Sequence, residues 1–262
     1  MLKNSLITLL TDFGLSDVYV GVMKGVIATI NPALTIIDLT HQIPPQNIAA
    51  ARFNLMSAFA YFPTETVHIC VVDPGVGSQR RGIALQLNKG FLVGPDNGLF
   101  GGVLKHNSII KAVELTNPQY WRTASPSQTF HGRDIFAAVG AHLASGVLIE
   151  KLGNIIEPES LVELIIEEPL QTENKIIGCI QYIDHFGNLI TNIAADQVQG
   201  KNWSVVVGKR QILGSQTYSS CPTGEIVALI GSEGWVEIAV NGGSAQSQLQ
   251  LYYGAKVEII LA

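Results

Sequence analysis

The stretch Thr66-Val-His-Ile-Cys-Val-Val72 runs directly into Asp73-Pro-Gly75-Val-Gly77-Ser-Gln-Arg80-Arg81-Gly82. A short run rich in β-branched and apolar residues, closed by Pro and Gly, reads as a buried strand. This one delivers a carboxylate, then glycines, then two guanidiniums to its end. Open α/β sheets bind their ligands beyond the carboxyl ends of the strands, so the stretch predicts a sheet edge built as a site. Working backwards, Leu6 to Leu10 reads as a first buried strand and Val18 to Ile30 as a helix stopped by Asn31-Pro32. Thr35 to Leu39 reads as a second strand, and Ala-rich Asn47 to Tyr61 as a helix closed by Phe62-Pro63. Working forwards, Gly82 to Leu87 and Gly90 to Val93 read as strands, Pro95-Asp-Asn-Gly98 as a turn, and Asp134 to Ala144 as a helix opening at a charged motif. Alternating strands and helices predict an α/β layered, Rossmann-like domain over residues 1–165.

The pattern changes after Pro158. Glu163 to Leu170 is acidic and mixed, and Gln171-Thr-Glu-Asn-Lys175 is polar, so residues 166–174 read as a linker. Over residues 175–262 only short alternating runs remain: Ile176 to Ile183, Leu189 to Ile193, Trp203 to Val207, Ile226 to Ile230, Trp235 to Val240 and Lys256 to Leu261. Many short strands between turn residues, without helices, predict a small β-barrel or sandwich.

Of the 262 residues, 47% are hydrophobic and only 14% charged, which supplies a full core and argues against disorder. The net charge of −5 provides no basic field for nucleic acid or an anionic lipid surface. Cys70, Cys179 and Cys221 are far apart and follow no metal-ligand spacing, so they read as reduced, mostly buried thiols. The start, Met1 to Leu10, has the flavour of a leader, but its apolar stretch is short and Thr11-Asp12 ends it. A soluble cytoplasmic protein with no metal, no redox cofactor, no nucleic acid and no membrane partner is expected.

Several polar clusters could carry chemistry, and each has a plain structural alternative. Asp12, in Thr11-Asp12-Phe13-Gly14, could accept two hydroxyls of a ribose or could cap the helix near Val18. Asp73 to Arg81 is neither a Walker loop nor a dinucleotide fingerprint. It is a phosphate-type cradle or a tight loop, with at most one of its two arginines facing a site. His131-Gly-Arg-Asp134 places a residue that titrates near neutrality at a helix start; alternatively Asp134 caps that helix and Arg133 is solvated. Asp184-His-Phe-Gly-Asn188 presents a carboxylate and an amide to one ligand, or forms an Asx turn. Ser232-Glu-Gly234 carries the same ambiguity.

Taken in order, Leu-Thr-Asp12-Phe-Gly, Val-Val-Asp73-Pro-Gly-Val-Gly, Gly94-Pro-Asp-Asn97-Gly-Leu, Phe130-His-Gly-Arg-Asp134, Ile-Asp184-His-Phe-Gly-Asn188 and Gly-Ser232-Glu-Gly resemble one family. That family is the S-adenosylmethionine hydroxide adenosyltransferases, relatives of the fluorinating and chlorinating enzymes. The resemblance runs from about residue 6 to the C-terminus. It implies an N-terminal α/β domain and a C-terminal β-barrel, a homotrimer with each site shared between neighbouring subunits, and cleavage of S-adenosylmethionine by water to adenosine and L-methionine. A halide-using transferase and a non-catalytic S-adenosylmethionine or adenosine binder are the alternatives.

The family's catalytic Asp, Arg and His fall on Asp73, Arg80 and His131. The resemblance implies that Arg80 stabilises hydroxide character in a bound water that Asp73 and His131 orient and deprotonate. It further implies that Asp12, with Phe13 beside it, holds the ribose hydroxyls, and that Asp184 meets the methionine ammonium. Ser232 and Glu233 fall at the amino-acid end. Asn188 and the backbone from Val240 to Gly242 read the adenine edge, and Tyr218 or Phe186 stacks on its ring. The chain departs from the halogenating relatives, which have Tyr, Thr and Ser where it has Asp73, Val76 and Gly132. Gln46 replaces a Trp under the ribose, and Glu233 replaces an Arg that pairs with the substrate carboxylate.

Overall fold

The computed structural model describes residues 6–208 and 210–262. The first five residues of the leader-like start lie outside the described residues. The chain divides into two compact units, one ending at Leu164 and the other running Ile165–Ala262.

The first unit is a seven-stranded mixed sheet. Its strands are β1 (Leu6–Thr11), β2 (Thr35–Thr40), β3 (Thr66–Val71), β4 (Gly82–Leu87), β5 (Gly90–Pro95), β6 (Ile109–Glu114) and β7 (Asn154–Ile155), in the order β2-β1-β3-β5-β4-β6-β7. The β2, β1, β3 and β5 strands are parallel, and β4 joins β5 and β6 antiparallel. The helices are α1 (Tyr19–Ile30), α2 (Ile48–Phe59), the short α3 (Gly101–Leu104) and α4 (Ala137–Ala144).

Alternation along β1 and β3 sorts the two faces. Ile7, Leu9, Val67, Ile69 and Val71 pack with Met23 and Ile27 of α1 and Val139 and Leu143 of α4 in one core cluster. On the other face, the His68 ring lies 4.9 Å from Phe59 of α2 and its Nδ1 is 2.7 Å from Thr8 Oγ1. The chain runs from β1 to β2 on one side, and β3 then lies on the other side of β1. This reversal of direction opens a crevice beyond the carboxyl ends of β1 and β3, where α/β sheets bind ligands. The register pairs Thr11 with Val71, so Asp12 and Asp73 emerge side by side at that crevice.

The second unit holds β8 (Leu170–Gln171), β9 (Lys175–Ile183), β10 (Leu189–Ala194), β11 (Trp203–Val207), β12 (Arg210–Ser215), β13 (Ile226–Ile230), β14 (Trp235–Val240) and β15 (Lys256–Leu261). They run β10-β14-β13-β12-β11-β15-β9, and β9 pairs back with β10, closing a seven-stranded barrel. Ile180, Leu189, Val205, Val236, Ile238 and Val257 fill it. The barrel, not a sandwich, is the observed answer to the alternating pattern. Two short helices, α5 (Ala195–Val198) and α6 (Ala245–Leu249), interrupt a region expected to have none. The β8 strand, within the polar stretch expected as linker, forms a hairpin with β9. Cys70 is buried, whereas Cys179 and Cys221 are only half-buried, and all three are free thiols.

Candidate functional site

Asp73, at the end of β3, begins the tight loop that sequence predicts. Val76 N–H donates to the Asp73 carbonyl, and Ser78 N–H to that of Gly75. Gly77 sits at φ +78°, and a Cβ there would come within 2.4 Å of the Gln128 carbonyl oxygen. Only glycine allows that backbone and that approach together. The loop turns Arg80 back onto Asp73. Arg80 Nε donates to Asp73 Oδ1 at 3.0 Å, and its Nη2 donates to Asp73 Oδ2. Both side chains are nearly buried, at 8% and 5% exposure. The Arg80 guanidinium also lies 5.4 Å from the Phe136 ring centre. Arg81 turns the other way, to Asp96 and Ser160, so one arginine of the pair serves the site and the other the fold.

His131 enters from the start of the helical segment. Gly132–Phe136 is a π-helical turn that runs on into α4, which therefore begins later than the sequence predicts. Arg80 Nη2 is 2.9 Å from His131 Nδ1. A guanidinium only donates, so Nδ1 is the acceptor and the imidazole carries its proton on Nε2. Burial and the Arg80 charge push the His131 pKa below its ordinary value, against the opposing pull of Asp73 and Asp134. His131 is therefore a neutral donor held in one tautomer.

Asp134 does not cap this helix, and Arg133, though partly exposed, is paired with Asp134. The buried Asp134 carboxylate accepts from Arg122 Nε, from Arg133 Nε and Nη2, and from the Ser127 N–H. Burial alone would raise its pKa, but those bonds outweigh it and hold the carboxyl well below the usual range. Arg133 also lies 5.2 Å from the centre of the Phe130 ring. Asp134 thus fixes the loop that carries His131.

Asp73 and His131 border one cleft of about 430 Å³ in the first unit. Asp12, Phe13, Asp73 and His131 line it, and Arg80 is not among its lining residues. Arg80 stands behind Asp73 and His131 and binds both. Asp12 does not cap α1, whose N-cap is Val18. Its Oδ2 accepts from the Gln46 N–H at 2.8 Å, which holds Gln46 at φ +64° on the cleft wall. Sequence reading missed Tyr19, which packs edge-on against Phe130, ring centres 5.3 Å apart, and completes an aromatic wall with Phe13.

A second cavity, about 470 Å³, lies in the barrel unit and is lined by Phe186, Asn188, Tyr218, Val240, Gly242 and Gly243. Its lining gathers the residues expected to meet the adenine. Asp184 forms the Asx turn: Oδ1 accepts from the Phe186 and Asn188 N–H groups, and Oδ2 accepts from Asn188 Nδ2. With its amide nitrogen committed to Asp184, Asn188 offers its Oδ1 as an acceptor. Ser232 and Glu233 stand in the exposed turn between β13 and β14, outside the lining of this slot. Glu237 on β14 was not singled out from sequence; an acidic residue inside the run Trp235 to Val240 was the available signal. Among the described residues no group of three or more His, Cys, Asp or Glu is placed to hold a metal ion.

The class this defines is an α/β-plus-barrel protein with a carboxylate–guanidinium–imidazole cluster at the switch point of its sheet and an aromatic slot on its barrel. The SAM hydroxide adenosyltransferase N-terminal domain matches residues 7–153, and the C-terminal domain of that name matches residues 178–258. The chain belongs to the SAM hydroxide adenosyltransferase family. It is 40% identical over 257 residues to the (R)-S-adenosyl-L-methionine hydrolase of Thermus thermophilus, covering 96% of this chain and 98% of that one. The fluorinase of Nocardia brasiliensis is more distant, at 25% identity over 98% of this chain and 97% of its own. A crystal structure of an uncharacterized conserved protein from Thermotoga maritima superposes with a TM-score of 0.91 at 37% identity, covering 97% of this chain and 99% of that chain.

Proposed function

We propose that this protein hydrolyses S-adenosyl-L-methionine to adenosine and L-methionine by attack of water on the ribose C5′. The observation that carries the proposal is the Asp73–Arg80–His131 cluster, in which one guanidinium binds a carboxylate and an imidazole that both line the cleft. The water oxygen forms a bond to C5′ as the C5′–sulfur bond breaks. The bonding pair stays on sulfur, which passes from sulfonium to neutral thioether and needs no acid. One proton leaves the water.

The tautomer supports a division of roles. His131 donates from Nε2 to the water and orients it. Asp73 keeps free lone pairs beyond those that Arg80 occupies and takes the proton. Arg80 acts through the other two: it holds Asp73 by paired hydrogen bonds, and its charge helps keep His131 neutral. Asp12 offers lone pairs to the ribose hydroxyls. The Asn188 carbonyl and the Val240–Gly242 backbone read the adenine edge between Phe186 and Tyr218, while Asp184, Ser232 and Glu233 face the amino-acid end.

The same proposal extends to a homotrimer in which the cleft of one subunit meets the slot of its neighbour. The exposed apolar side chains Tyr19, which lines the cleft, and Phe186, which lines the slot, support it, as do the exposed Leu15 and Val18 close to Tyr19 in the chain. Among the described residues no helix is long and apolar enough to cross a membrane, and free thiols suit the cytoplasm. A halide nucleophile is disfavoured because the Asp73 carboxylate repels an anion at the cleft.

Incubation with S-adenosylmethionine in ¹⁸O-water tests the reading by mass spectrometry. Label at the 5′ oxygen of adenosine is the expected result. Intact substrate in a sample that binds it leaves a binding protein instead.

A further inference from the structure

Glu237 is 7% exposed and stands in the middle of β14. Its neighbours Val236 and Ile238 belong to the barrel core, so alternation turns Glu237 to the outer face, where Val227, Leu229 and Ala239 form a small second cluster. Burying a carboxylate there costs free energy unless it is hydrogen-bonded. An apolar side chain would extend the cluster at no such cost.

What the acid does hold is Tyr218. The Tyr218 hydroxyl donates to Glu237 Oε1 at 2.8 Å. The other oxygen, Oε2, rests against Gly231, where a Cβ would come within 2.6 Å of it. Position 231 thus leaves room for the carboxylate that a larger residue would displace. Tyr218 is 43% exposed and sits in a single 3₁₀ turn, Tyr218–Ser220, in the connection between β12 and β13. Such a turn lacks the ladder bonds that fix a strand. Burial and the Glu237 carboxylate push the Tyr218 hydroxyl up to about 12, so it remains a donor across neutral pH.

We propose that Glu237 is a positioning residue of the base slot: it anchors the tip of Tyr218 and so fixes the ring that forms one wall. The inference rests on the reading of that slot as the adenine site.

The test compares adenosine binding by calorimetry with steady-state hydrolysis of S-adenosylmethionine. The proteins are wild type, Tyr218→Phe, Glu237→Gln, Glu237→Leu and the Tyr218→Phe/Glu237→Leu double variant. Tyr218→Phe removes only the hydroxyl and leaves the ring and β14 intact, while Glu237→Gln keeps an acceptor. The adenosine Kd and the KM are expected to rise about three- to tenfold in Tyr218→Phe and Glu237→Leu, with the larger part in KM and little in kcat. Glu237→Gln is expected to retain most of the affinity, and the double variant to bind no more weakly than Glu237→Leu. An unchanged Kd in Tyr218→Phe overturns the proposal, as does an additive double variant. Should Glu237→Leu fail to fold, Tyr218→Phe and Glu237→Gln decide the matter alone. A wild type that binds adenosine but leaves S-adenosylmethionine intact defeats the hydrolase reading and leaves the Kd comparison in force. A wild type that binds no adenosine defeats both.

Discussion

Arg80 gives the two hydrogens of one nitrogen to two different acceptors, Asp73 Oδ2 and His131 Nδ1. A lysine offers charge without that planar fork. Arg80→Lys is therefore expected to lower kcat at least about tenfold and Arg80→Ala about a hundredfold or more, with adenosine affinity changed far less; equal losses in kcat and affinity would contradict the assignment. The pH profile follows from the same contact. Protonating His131 sets two cations face to face, so kcat/KM is expected to be flat through neutrality and to fall below the ordinary histidine value of 6.5. Arg80→Ala removes a charge that lowers the His131 pKa, so the inflection measured on its residual activity should move upward. Asp73 and His131 stood out in sequence as candidates because each lies close to a glycine at the end of an apolar run or the start of a helix, while the choice of Arg80 over Arg81 and the grouping of the three came from the resemblance to the family. The place of Arg80 behind the cleft was not legible, because it depends on the Asp73–Arg80 loop and the His131 turn meeting across 51 positions of chain. Tyr19 read only as the first turn of a helix.

At the scale of elements, the Asp134 carboxylate fastens the π-helical turn Gly132–Phe136. Asp134 gathers Arg122, Arg133 and the Ser127 N–H onto a single buried carboxylate. Asp134→Asn keeps the shape but removes the charge. It is expected to cost about 2–4 kcal/mol in a urea titration, and to lower kcat because His131 leaves its tautomer-fixing contact. Loss of stability without loss of kcat would separate Asp134 from the site. Most elements of both units followed from their periodicity. The antiparallel insertion of β4 between β5 and β6 did not, because buried parallel and antiparallel strands share one apolar pattern. Ile109–Glu114 and Arg210–Ser215 were also passed over: Lys111, Arg210 and Gln211 break their apolar runs, and pairing with neighbours supplies what propensity lacks.

Across the whole molecule, acid stability has a named contributor. His68 is 1% exposed beneath α2, and burial lowers its pKa to about 4. The unfolded chain binds that proton from the ordinary value of 6.5 downward, while the folded chain refuses it until about 4. Stability from this residue is thus complete above 6.5 and lost as pH falls, by about 3 kcal/mol in total. Urea midpoints measured from pH 7 to 4 should show this loss, and His68→Gln should flatten it; an equal slope in the variant would place the acid sensitivity elsewhere.

The barrel is a ring with one poorly stitched join. Where β12 meets β13, two residue pairs hold the edges together, Gly214 with Ala228 and Ser215 with Leu229. Fluctuations that part the ring will start at that join, and the chain that bridges it is the one bearing Tyr218. Whatever loosens the hoop therefore also slackens the grip on a nucleobase, and a seated nucleobase should cinch the hoop. Hydrogen exchange ought to be fastest along this join among the barrel ladders and to slow there when adenosine is added. Uniform protection around the ring, indifferent to adenosine, would show that the join and the slot do not move as one.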